Sequence, residues 1–282
     1  MEEKNLFDYD FSNEDSKSVS KLVFFDTETT GSSKDDEIIE IGAIIEDING
    51  NLVEHFDELC SSTKLIHPDA MATHGIRNEE IEDKPNFKES KFWKQIDSIN
   101  SKDNYLIAHN MPFDLGKLEF YGFRAKIKLI DTLQCAKHLF ELGEKLGSYE
   151  YELPNYKLQT FRYILFSKAD EESEANRFNI NIKAHSALSD VVILKMFFNE
   201  LLKRVGINNK KEALDELVKL SSKPVLVKQF GFGKYKGKKI SDVLKKDRGY
   251  LEWLYKDMKK KKSAKESVDN NMYGTLKHYL ER

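Results

Sequence analysis

The stretch that most constrains the fold is residues 22–31, Leu-Val-Phe-Phe-Asp-Thr-Glu-Thr-Thr-Gly. Its four consecutive apolar residues, Leu22 to Phe25, are typical of a strand that is buried on both faces. Asp26 and Glu28 follow directly, and residues i and i+2 of an extended chain point to the same side. The stretch therefore predicts that two carboxylates converge at the end of a core strand.

Two interpretations of this carboxylate pair are open. Two anions at that spacing repel each other unless a cation lies between them, and hard oxygen ligands suit Mg²⁺ or Mn²⁺. The alternative is an acidic strand end that runs into a solvated turn, because Asp and Thr are common in turns. The stretch alone supports both, so the rest of the chain has to discriminate between them.

The composition is that of a globular protein. The 282 residues suffice for one large domain and a smaller one, and 40% of them are hydrophobic. No long apolar run and no signal-peptide pattern are present, so no association with a membrane is expected. Cys60 and Cys135 show neither metal nor redox spacing, which favours a reducing, cytoplasmic setting.

The charge of the chain is unevenly distributed. Residues 221–282 contain 17 Lys and Arg against 7 Asp and Glu, a balance of +10, whereas residues 1–220 contain 28 against 41, a balance of −13. A basic part beside an acidic part with a carboxylate pair predicts a polyanionic partner and a metal site in one chain. A lysine-rich surface that is merely solvated is the alternative.

The pattern of apolar residues predicts the order of the elements. Residues 1–20 hold six acidic residues and two lysines, which predicts a disordered acidic tail. Two β-rich runs flank the Asn-Gly-Asn turn at 49–51, so the first strand is predicted to continue into an antiparallel meander. Further along, short strands are predicted at 105–108 and 129–132, loops at 141–155 and 168–179, a helix at 187–205, a linker helix within 206–222, and a separate basic domain at 223–282.

Two further acidic residues stand at predicted helix starts. Asp114 follows His-Asn-Met-Pro-Phe in the first turn of one helix, and Asp190 lies in the first turn of another, five residues after His185. Taken singly, each acid could be one that the helix dipole favours at an N-terminus, and His185 could be a surface histidine. The three motifs together are a much more specific signal.

In this order and spacing, Asp-x-Glu-Thr-Thr-Gly, His-Asn-x-x-Phe-Asp and His-x4-Asp resemble the DEDDh exonucleases of the DnaQ-like superfamily, over about residues 21–205. The resemblance implies an α/β, ribonuclease H-like fold with a mixed five-stranded sheet flanked by helices. It also implies removal of nucleotides from 3′ ends. Position 186 is Ser, where the sister class carries a tyrosine, and this favours the histidine class.

The resemblance also assigns roles to five residues. It implies two Mg²⁺ (or Mn²⁺) ions, with Asp26 bridging both, Glu28 and Asp190 on the first, and Asp114 supporting the second. Phosphodiester hydrolysis needs an activated water and a stabilised leaving oxygen, which two such ions supply. His185, with an ordinary pKa near 6.5, suits the role of general base.

Several neighbouring residues are expected to contact the substrate. Thr29, Thr30 and Gly31 could offer backbone N–H groups to the terminal nucleotide. The segment from His74 to Ile76 resembles the family segment that lines the pocket of the 3′-terminal base, and Asn110 and Phe113 belong to the second motif. Core packing is the alternative for Phe113 and Ile76. His109 is expected to order its loop rather than contact metal. Asp131 is expected either to cap a helix or to support a metal ligand without being one itself. Leu158, in the family-like segment 156–159, is expected to pack.

The C-terminal region has a pattern of its own. Residues 230–240 alternate aromatic, glycine and lysine residues, a pattern in which aromatic rings can stack on bases and lysines can meet phosphates. The region resembles the small basic C-terminal domain of exodeoxyribonuclease X-like proteins, for which an α+β structure is expected. Lys234, Lys236 and Lys238 are the expected DNA contacts. Tyr235 and Trp253 are expected to lie mainly in the core.

The sequence thus favours a metal-dependent 3′–5′ exodeoxyribonuclease acting on single-stranded 3′ ends of DNA. DNA repair or proofreading is the expected setting, with a replication or repair protein as a further partner. A 3′–5′ exoribonuclease is one alternative, because the same motifs serve both substrates. The other is a non-catalytic nucleic-acid-binding subunit of a polymerase, against which the intact acidic motifs and His185 argue.

Overall fold

The computed structural model describes residues 19–180, 186–264, 266 and 268–281. Nearly all of the predicted acidic tail lies outside these residues, and so does His185. The predictions for the tail and for His185 therefore stay predictions. Within the described residues, no helix combines the length and the apolar character needed to cross a membrane.

A mixed five-stranded sheet forms the centre of the fold, as predicted. Its strands are β1 (Lys21–Thr29), β2 (Ile38–Asp47), β3 (Leu52–Leu59), β4 (Tyr105–Ala108) and β5 (Lys128–Asp131). They lie in the order β3-β2-β1-β4-β5. The pairs β1–β2 and β2–β3 are antiparallel, whereas β4 lies parallel to β1 and β5 parallel to β4. The apolar run of β1 is thus the central strand, which explains why it is buried on both faces.

Helices cover the sheet, and three more form the C-terminal part. They are α1 (Pro68–His74), α2 (Asn78–Ile81), α3 (Lys91–Ile99), α4 (Met111–Phe120), α5 (Thr132–Leu139), α6 (Leu158–Leu165), α7 (Lys168–Arg177), α8 (Ala187–Val205), α9 (Lys210–Ser222), α10 (Ile240–Lys246), α11 (Arg248–Ser263) and α12 (Asn270–Leu280). Two-residue strands, β6 (Lys145–Leu146) and β7 (Tyr151–Glu152), pair within the predicted loop at 141–155.

The prediction of a loop at 168–179 is wrong, because α7 occupies it. Ser167 and Asp170 form a reciprocal capping box at its start, which satisfies backbone donors that a helix would otherwise leave unpaired. Glu171 of this helix is buried and forms two hydrogen bonds with Arg162, of 2.7 and 2.5 Å. The high charge of the segment favoured a loop. In the structure, however, Ser167 and Asp170 bond to each other's backbone nitrogen atoms, and Glu171 bonds to Arg162.

Each face of the sheet carries its own hydrophobic core. Leu22 and Phe24 of β1 point into a core shared with residues of α5, α6, α8 and α9, and Val23 and Phe25 point into the opposite core with residues of α3 and α4. The helix predicted as a linker, α9, belongs to the first core, because Leu214 and Leu217 are fully buried there. It therefore packs on the sheet.

The C-terminal part has a third core, built around Phe230, Leu251 and Leu276. Its strand content within the described residues is one bridge, between Gln229 and Lys239, and the rest is mainly helical. Gln134 of α5 joins this part to the sheet, since its Nε2 donates to the Lys223 carbonyl at 2.6 Å and to Asn271 Oδ1 at 2.8 Å.

The expectation that Trp253 lies in the core is wrong, because its side chain is 61% exposed. The inward face of α11 is occupied by Leu251, Leu254 and Met258, which recur at helical spacing. Trp253 lies between them in sequence and therefore falls on another face of the helix. Tyr235, in contrast, is half-buried against the C-terminal core.

Candidate active site

Asp26 and Glu28 lie at the carboxyl-terminal end of β1. Both are half-buried, whereas Thr27 between them is buried, which fits side chains that alternate along a strand. On the neighbouring strand β2, Asp26 lies opposite Gly42 and Glu28 opposite Glu40. The pair predicted from the sequence is therefore placed on one side of the central strand.

Asp114 reaches the same edge of the sheet from α4. This helix begins directly after β4, and β4 is parallel to β1, so both strands deliver their following residues to one edge. Asp114 is 3% exposed. Its Oδ1 accepts hydrogen bonds from the backbone nitrogen of Thr27 at 3.2 Å and from Thr27 Oγ1 at 2.7 Å. Thr27, which lies between Asp26 and Glu28, thus orients the carboxylate of Asp114.

Asp190 enters from the first turn of α8. The start of this helix is fixed to the sheet, because the backbone nitrogen of Ala187 donates to Glu40 Oε2 at 3.1 Å. Gln159 of α6 donates through Nε2 to Asp190 Oδ1 at 2.7 Å. Gln159 is oriented in turn by Arg162, whose Nη1 lies 3.4 Å from Gln159 Oε1.

The four carboxylates form one electrostatic cluster. Burial raises the pKa of Asp26 well above its ordinary value, and the negative charges of Asp114, Glu28, Asp190 and Glu40 raise it further. Burial, followed by the charges of Glu40, Asp190 and Asp114, raises the pKa of Glu28 to about 8. Burial likewise raises the pKa of Asp114 to about 7, although the hydrogen bonds from Thr27 act against this.

The chemistry of this donor set fits divalent cations. In the part of the chain that the structure describes, no three acidic, histidine or cysteine side chains stand at metal-binding geometry as they are. However, the charges of the neighbouring carboxylates add to the effect of burial in raising the pKa values of Asp26 and Glu28, and cations would relieve this repulsion. Carboxylate oxygens are the hard donors that Mg²⁺ and Mn²⁺ prefer.

Sequence reasoning missed two side chains of this site. Glu40 is a buried acid in the apolar run of β2, and the signal that could have found it is a single acid within such a run. Gln159 belongs to the family-like segment 156–159, in which a role is expected from the sequence for Leu158 alone. Gln159 bonds to Asp190 itself, and Glu40 accepts a hydrogen bond from the first residue of the helix that carries Asp190.

A buried lysine binds backbone carbonyls of the loop that follows β1. Lys117 of α4 is 2% exposed, and its Nζ donates to the carbonyls of Ser33 at 2.6 Å and Asp36 at 3.1 Å. Of the backbone groups expected to face substrate, the Thr30 N–H is already bonded to the Glu37 carbonyl at 2.9 Å. Thr29 Oγ1 donates to the Gly31 carbonyl at 2.7 Å, so it shapes the turn.

The remaining expected substrate contacts differ in their accessibility. His74 and Ile76 are both buried, and Ile76 packs in a small cluster with Ile39, so the packing alternative describes Ile76. Asn110 is exposed and adopts a left-handed backbone conformation with φ of 78° at the start of α4. Phe113 is half-exposed.

His109 and Asp131 order the loops, as expected. His109 Nδ1 lies 3.0 Å from Thr132 Oγ1 and Nε2 lies 2.9 Å from the Tyr156 carbonyl, so both ring nitrogens are engaged. Burial lowers the pKa of His109 to about 4, which keeps the ring neutral. Asp131 caps α5 by accepting from the backbone nitrogen of Leu133.

The three lysines expected to contact DNA are all exposed in the C-terminal part. Lys234 differs from the others, because its Nζ forms an ion pair with Asp247 Oδ2 at 3.1 Å. Lys236 and Lys238 form no ion pair with a carboxylate in the described ranges.

Comparison with known proteins identifies relatives of this chain and supports the fold. Exodeoxyribonuclease 10 of Escherichia coli K12 is 28% identical over 262 residues, which cover 92% of this chain and 99% of that protein. DNA polymerase III subunit epsilon of Buchnera aphidicola is 36% identical over 140 residues, 43% of this chain and 58% of the relative. The structure of E. coli exonuclease I in complex with a dT13 oligonucleotide shares the fold, with a TM-score of 0.51 and 21% identity over 66% of this chain and 42% of that one.

Two family patterns match the chain. The exodeoxyribonuclease X-like C-terminal pattern matches residues 230–258. The exonuclease pattern matches residues 23–197, more than half of the chain, and spans all four clustered carboxylates. Enzymes of that family depend on divalent metal ions. The chain belongs to the exonuclease family.

Proposed function

We propose that this chain is a 3′–5′ exodeoxyribonuclease that removes nucleotides from single-stranded 3′ ends of DNA with two Mg²⁺ (or Mn²⁺) ions. The observation that carries the proposal is the convergence of Asp26, Glu28, Asp114 and Asp190 in one cluster, in which burial and the charges of the neighbouring carboxylates raise the pKa values of Asp26 and Glu28. The similarity to exodeoxyribonuclease 10 over nearly the full length of both chains supports DNA as the substrate.

The proposed ligands are the four carboxylates, with Asp26 shared by both ions, Glu28 and Asp190 on the first, and Asp114 on the second. When bound, such ions would neutralise the reacting phosphate, activate water and stabilise the leaving oxygen. Two of the carboxylates are oriented by the protein itself. Thr27 holds one oxygen of Asp114, and Gln159 holds one oxygen of Asp190. Such outer partners fix the direction in which a ligand presents its second oxygen.

His185 is the proposed general base. It directly precedes Ser186, the residue immediately before the first residue of α8, and stands five residues before Asp190. A histidine with an ordinary pKa near 6.5 can accept a proton from water near neutral pH. The other histidine of the motifs, His109, is unsuited to this role because both its nitrogens bond to the protein.

The terminal nucleotide is proposed to lie over the turn after β1 and the start of α4. Asn110 and Phe113 are accessible there, and Gly31 is partly exposed. Lys117 stabilises the turn by binding its carbonyls, so the turn keeps its shape when substrate arrives. Thr30 contributes to this frame through its bond with Glu37.

The proposal assigns the chemistry to residues 21–205 and affinity for DNA to residues 223–282, and α9, within residues 206–222, packs on the core of the first part. The setting we propose is DNA repair or proofreading in the cytoplasm, with a replication or repair protein as partner. Cys60 and Cys135 are both free thiols, which is compatible with a reducing compartment.

The test is digestion of 5′-labelled oligonucleotides of matched sequence, as single-stranded DNA, duplex DNA and RNA, with Mg²⁺, Mn²⁺ or EDTA. The proposal expects a ladder that shortens from the 3′ end, fastest on single-stranded DNA and absent in EDTA. Asp26→Asn should abolish the ladder, whereas Asp103→Asn, on an exposed turn, should not. Early release of the 5′ label would contradict the polarity. Faster cleavage of RNA would favour the exoribonuclease, and binding without cleavage would favour the accessory subunit.

A further inference from the structure

The C-terminal part exposes two large aromatic side chains. Trp253 of α11 is 61% exposed and Phe232, in the loop before α10, is 43% exposed. Phe230, at the centre of the same region, is 1% exposed. Phe230 therefore belongs to the core of this part, whereas the rings of Phe232 and Trp253 lie outside it.

Ring contacts link the two exposed rings through that core. The ring centroids of Trp253 and Tyr250 are 5.8 Å apart, those of Tyr250 and Phe230 are 5.8 Å apart, and those of Phe230 and Phe232 are 6.3 Å apart. Aromatic pairs at these separations attract each other beyond the burial of their area. Trp253 and Phe232 therefore contact aromatic residues of the core, although both side chains are exposed to solvent.

Exposed lysines lie close in sequence to both exposed rings. Lys236, Lys238 and Lys239 follow Phe232 along the loop, and Lys256 lies three residues after Trp253, where a helix places a neighbouring side chain. All four are exposed, and none forms an ion pair with a carboxylate of the described part of the chain. We call the four lysines together with Phe232 and Trp253 the Trp253 surface.

We infer that the Trp253 surface is a binding site for single-stranded nucleic acid, separate from the carboxylate cluster, in which Trp253 and Phe232 stack on bases and the lysines contact phosphates. Exposed aromatic side chains, together with exposed lysines that form no ion pair in the described part of the chain, match both halves of a nucleotide, the base and the phosphate. A protein partner would have to be acidic as well as apolar. The inference rests on the proposed function, and it adds a second point of contact to the same DNA strand.

The chain contains two tryptophans, Trp93 and Trp253, which allows a direct test. Trp93→Phe leaves Trp253 as the sole fluorescent tryptophan. This protein is titrated in EDTA, so that no cleavage occurs, with oligothymidylate of about 16 nucleotides, the upper range of single-strand sites. The second titrant is an abasic oligomer of equal length, which has the phosphates without the bases. Binding of both is followed in parallel by anisotropy of a label on the oligomer.

The expected result is saturable quenching of Trp253 fluorescence by oligothymidylate, with little quenching by the abasic oligomer. Trp253→Ala in the otherwise unchanged protein should weaken binding of oligothymidylate by about 5- to 150-fold, the usual worth of one stacked base. Tyr163→Ala removes another strongly exposed aromatic, 74% exposed on α6, and should leave this affinity unchanged. Equal quenching by both oligomers, or binding seen by anisotropy without any change in fluorescence, would overturn the inference.

A small substrate separates this inference from the proposed function. Thymidine 5′-(p-nitrophenyl phosphate) contains a single nucleotide, so a molecule bound at the catalytic cluster has no further base for the Trp253 surface. Trp253→Ala should therefore turn it over at the wild-type rate while its KM on long single-stranded DNA rises. Failure of the wild-type protein to cleave either substrate would contradict the proposed function, whereas equal KM values for long DNA in the two proteins would contradict only the role of Trp253.

Discussion

Gly42 of β2 and Leu188 of α8 approach so closely that a Cβ on Gly42 would lie 2.2 Å from the backbone nitrogen of Leu188. Gly42 is the residue opposite Asp26 in the sheet, and Leu188 precedes Asp190 by two residues. The absence of a side chain at Gly42 therefore sets how near the start of α8 comes to β1. It fixes the separation between two proposed metal ligands on different elements.

Gly42→Ala is expected to reduce exonuclease activity by about 10²-fold or more. The new methyl group must push α8 away from the sheet, and a displacement of about 1 Å at a catalytic group suffices for such a loss. Overpacking should also lower the free energy of unfolding by about 1–3 kcal/mol. Both are checked by kcat/KM on single-stranded DNA, measured well below the melting temperature, and by thermal unfolding.

Gly116→Ala is the control for this change. Gly116 lies inside α4, and a Cβ there would meet nothing within 4 Å. Alanine in place of glycine within a helix raises stability by about 0.5–1 kcal/mol. Equal activity of the Gly42→Ala and Gly116→Ala proteins would show that the approach of α8 is not critical.

The pH dependence of stability should report the carboxylate cluster. The folded state raises the pKa of Glu28 from 4.5 to about 8 and that of Asp114 from 3.8 to about 7. A raised carboxyl pKa means that the folded state binds more protons than the unfolded state between the two values. The additional protons therefore stabilise the folded state at low pH, and this stabilisation is lost as pH rises from about 4 to 8. The melting temperature in EDTA should fall over this window by more than in Mg²⁺.

Glu28→Gln supplies the control for that titration, because it removes one of the interacting charges without changing the shape of the side chain. Its melting temperature in EDTA should exceed that of the wild type at pH 8, and the two should converge near pH 4. Buried His109, with its pKa lowered to about 4, acts in the opposite direction in both proteins and cancels in the difference. Parallel curves for wild type and variant would refute the electrostatic account.

Gln159→Leu is expected to raise the Mg²⁺ concentration needed for half-maximal activity by about 10- to 100-fold. The reason is that Gln159 donates to Asp190 Oδ1 at 2.7 Å, and loss of a group that orients a ligand typically has this effect. Gln159→Glu should be at least as harmful, since it places another negative charge beside Asp190. Gln95→Leu, on α3, is the control, and an unchanged Mg²⁺ titration of Gln159→Leu would exclude the positioning role.

His185→Ala should lower turnover by about 10²–10⁴-fold, the usual contribution of a positioned general base. The wild-type rate should fall as pH drops below the pKa of His185 in the complex, and the variant should lose that dependence. Mg²⁺ should still raise the melting temperature of the variant, because no proposed ligand has been removed. His55→Ala, at an exposed position of β3, should behave as wild type. A variant that kept the normal rate and pH profile would point to another base.

Much of the fold could be predicted from local patterns. The apolar run at Leu22 to Phe25 predicts the central strand, and the spacing of Asp26 and Glu28 predicts their shared side. Pro112 and the apolar periodicity after residue 187 predict that Asp114 and Asp190 lie at helix starts. These features depend on residues that are close together in the chain, so a single sequence is enough to predict them.

The rest depends on contacts between distant residues. Glu40 joins the cluster because β2 pairs with β1 in one particular register, and Gln159 reaches Asp190 across 31 positions. The exposure of Trp253 follows from which face of α11 packs inward, and the spacing of Leu251, Leu254 and Met258 identifies this face only once the extent of the helix is known. Pairing, register and helix orientation are tertiary properties, and residue spacing alone does not determine them.

The lysines of the C-terminal loop should control the salt dependence of DNA binding. Replacing Lys236, Lys238 and Lys239 with Gln should weaken binding of long single-stranded DNA and make the slope of log K against log salt shallower by about 0.7 for each phosphate that is no longer neutralised. KM on long DNA should rise far more than kcat falls, because these lysines are not among the residues proposed to act on the reacting phosphate. Replacing the exposed Lys88, Lys91 and Lys94 with Gln removes the same charge from a different surface and should leave the slope near the wild-type value. The measurement is exonuclease kinetics and oligonucleotide binding at several salt concentrations for the three proteins. Equal slopes for both triple variants would mean that the C-terminal lysines act only through net charge, and the loop would then be better explained as a contact for another protein.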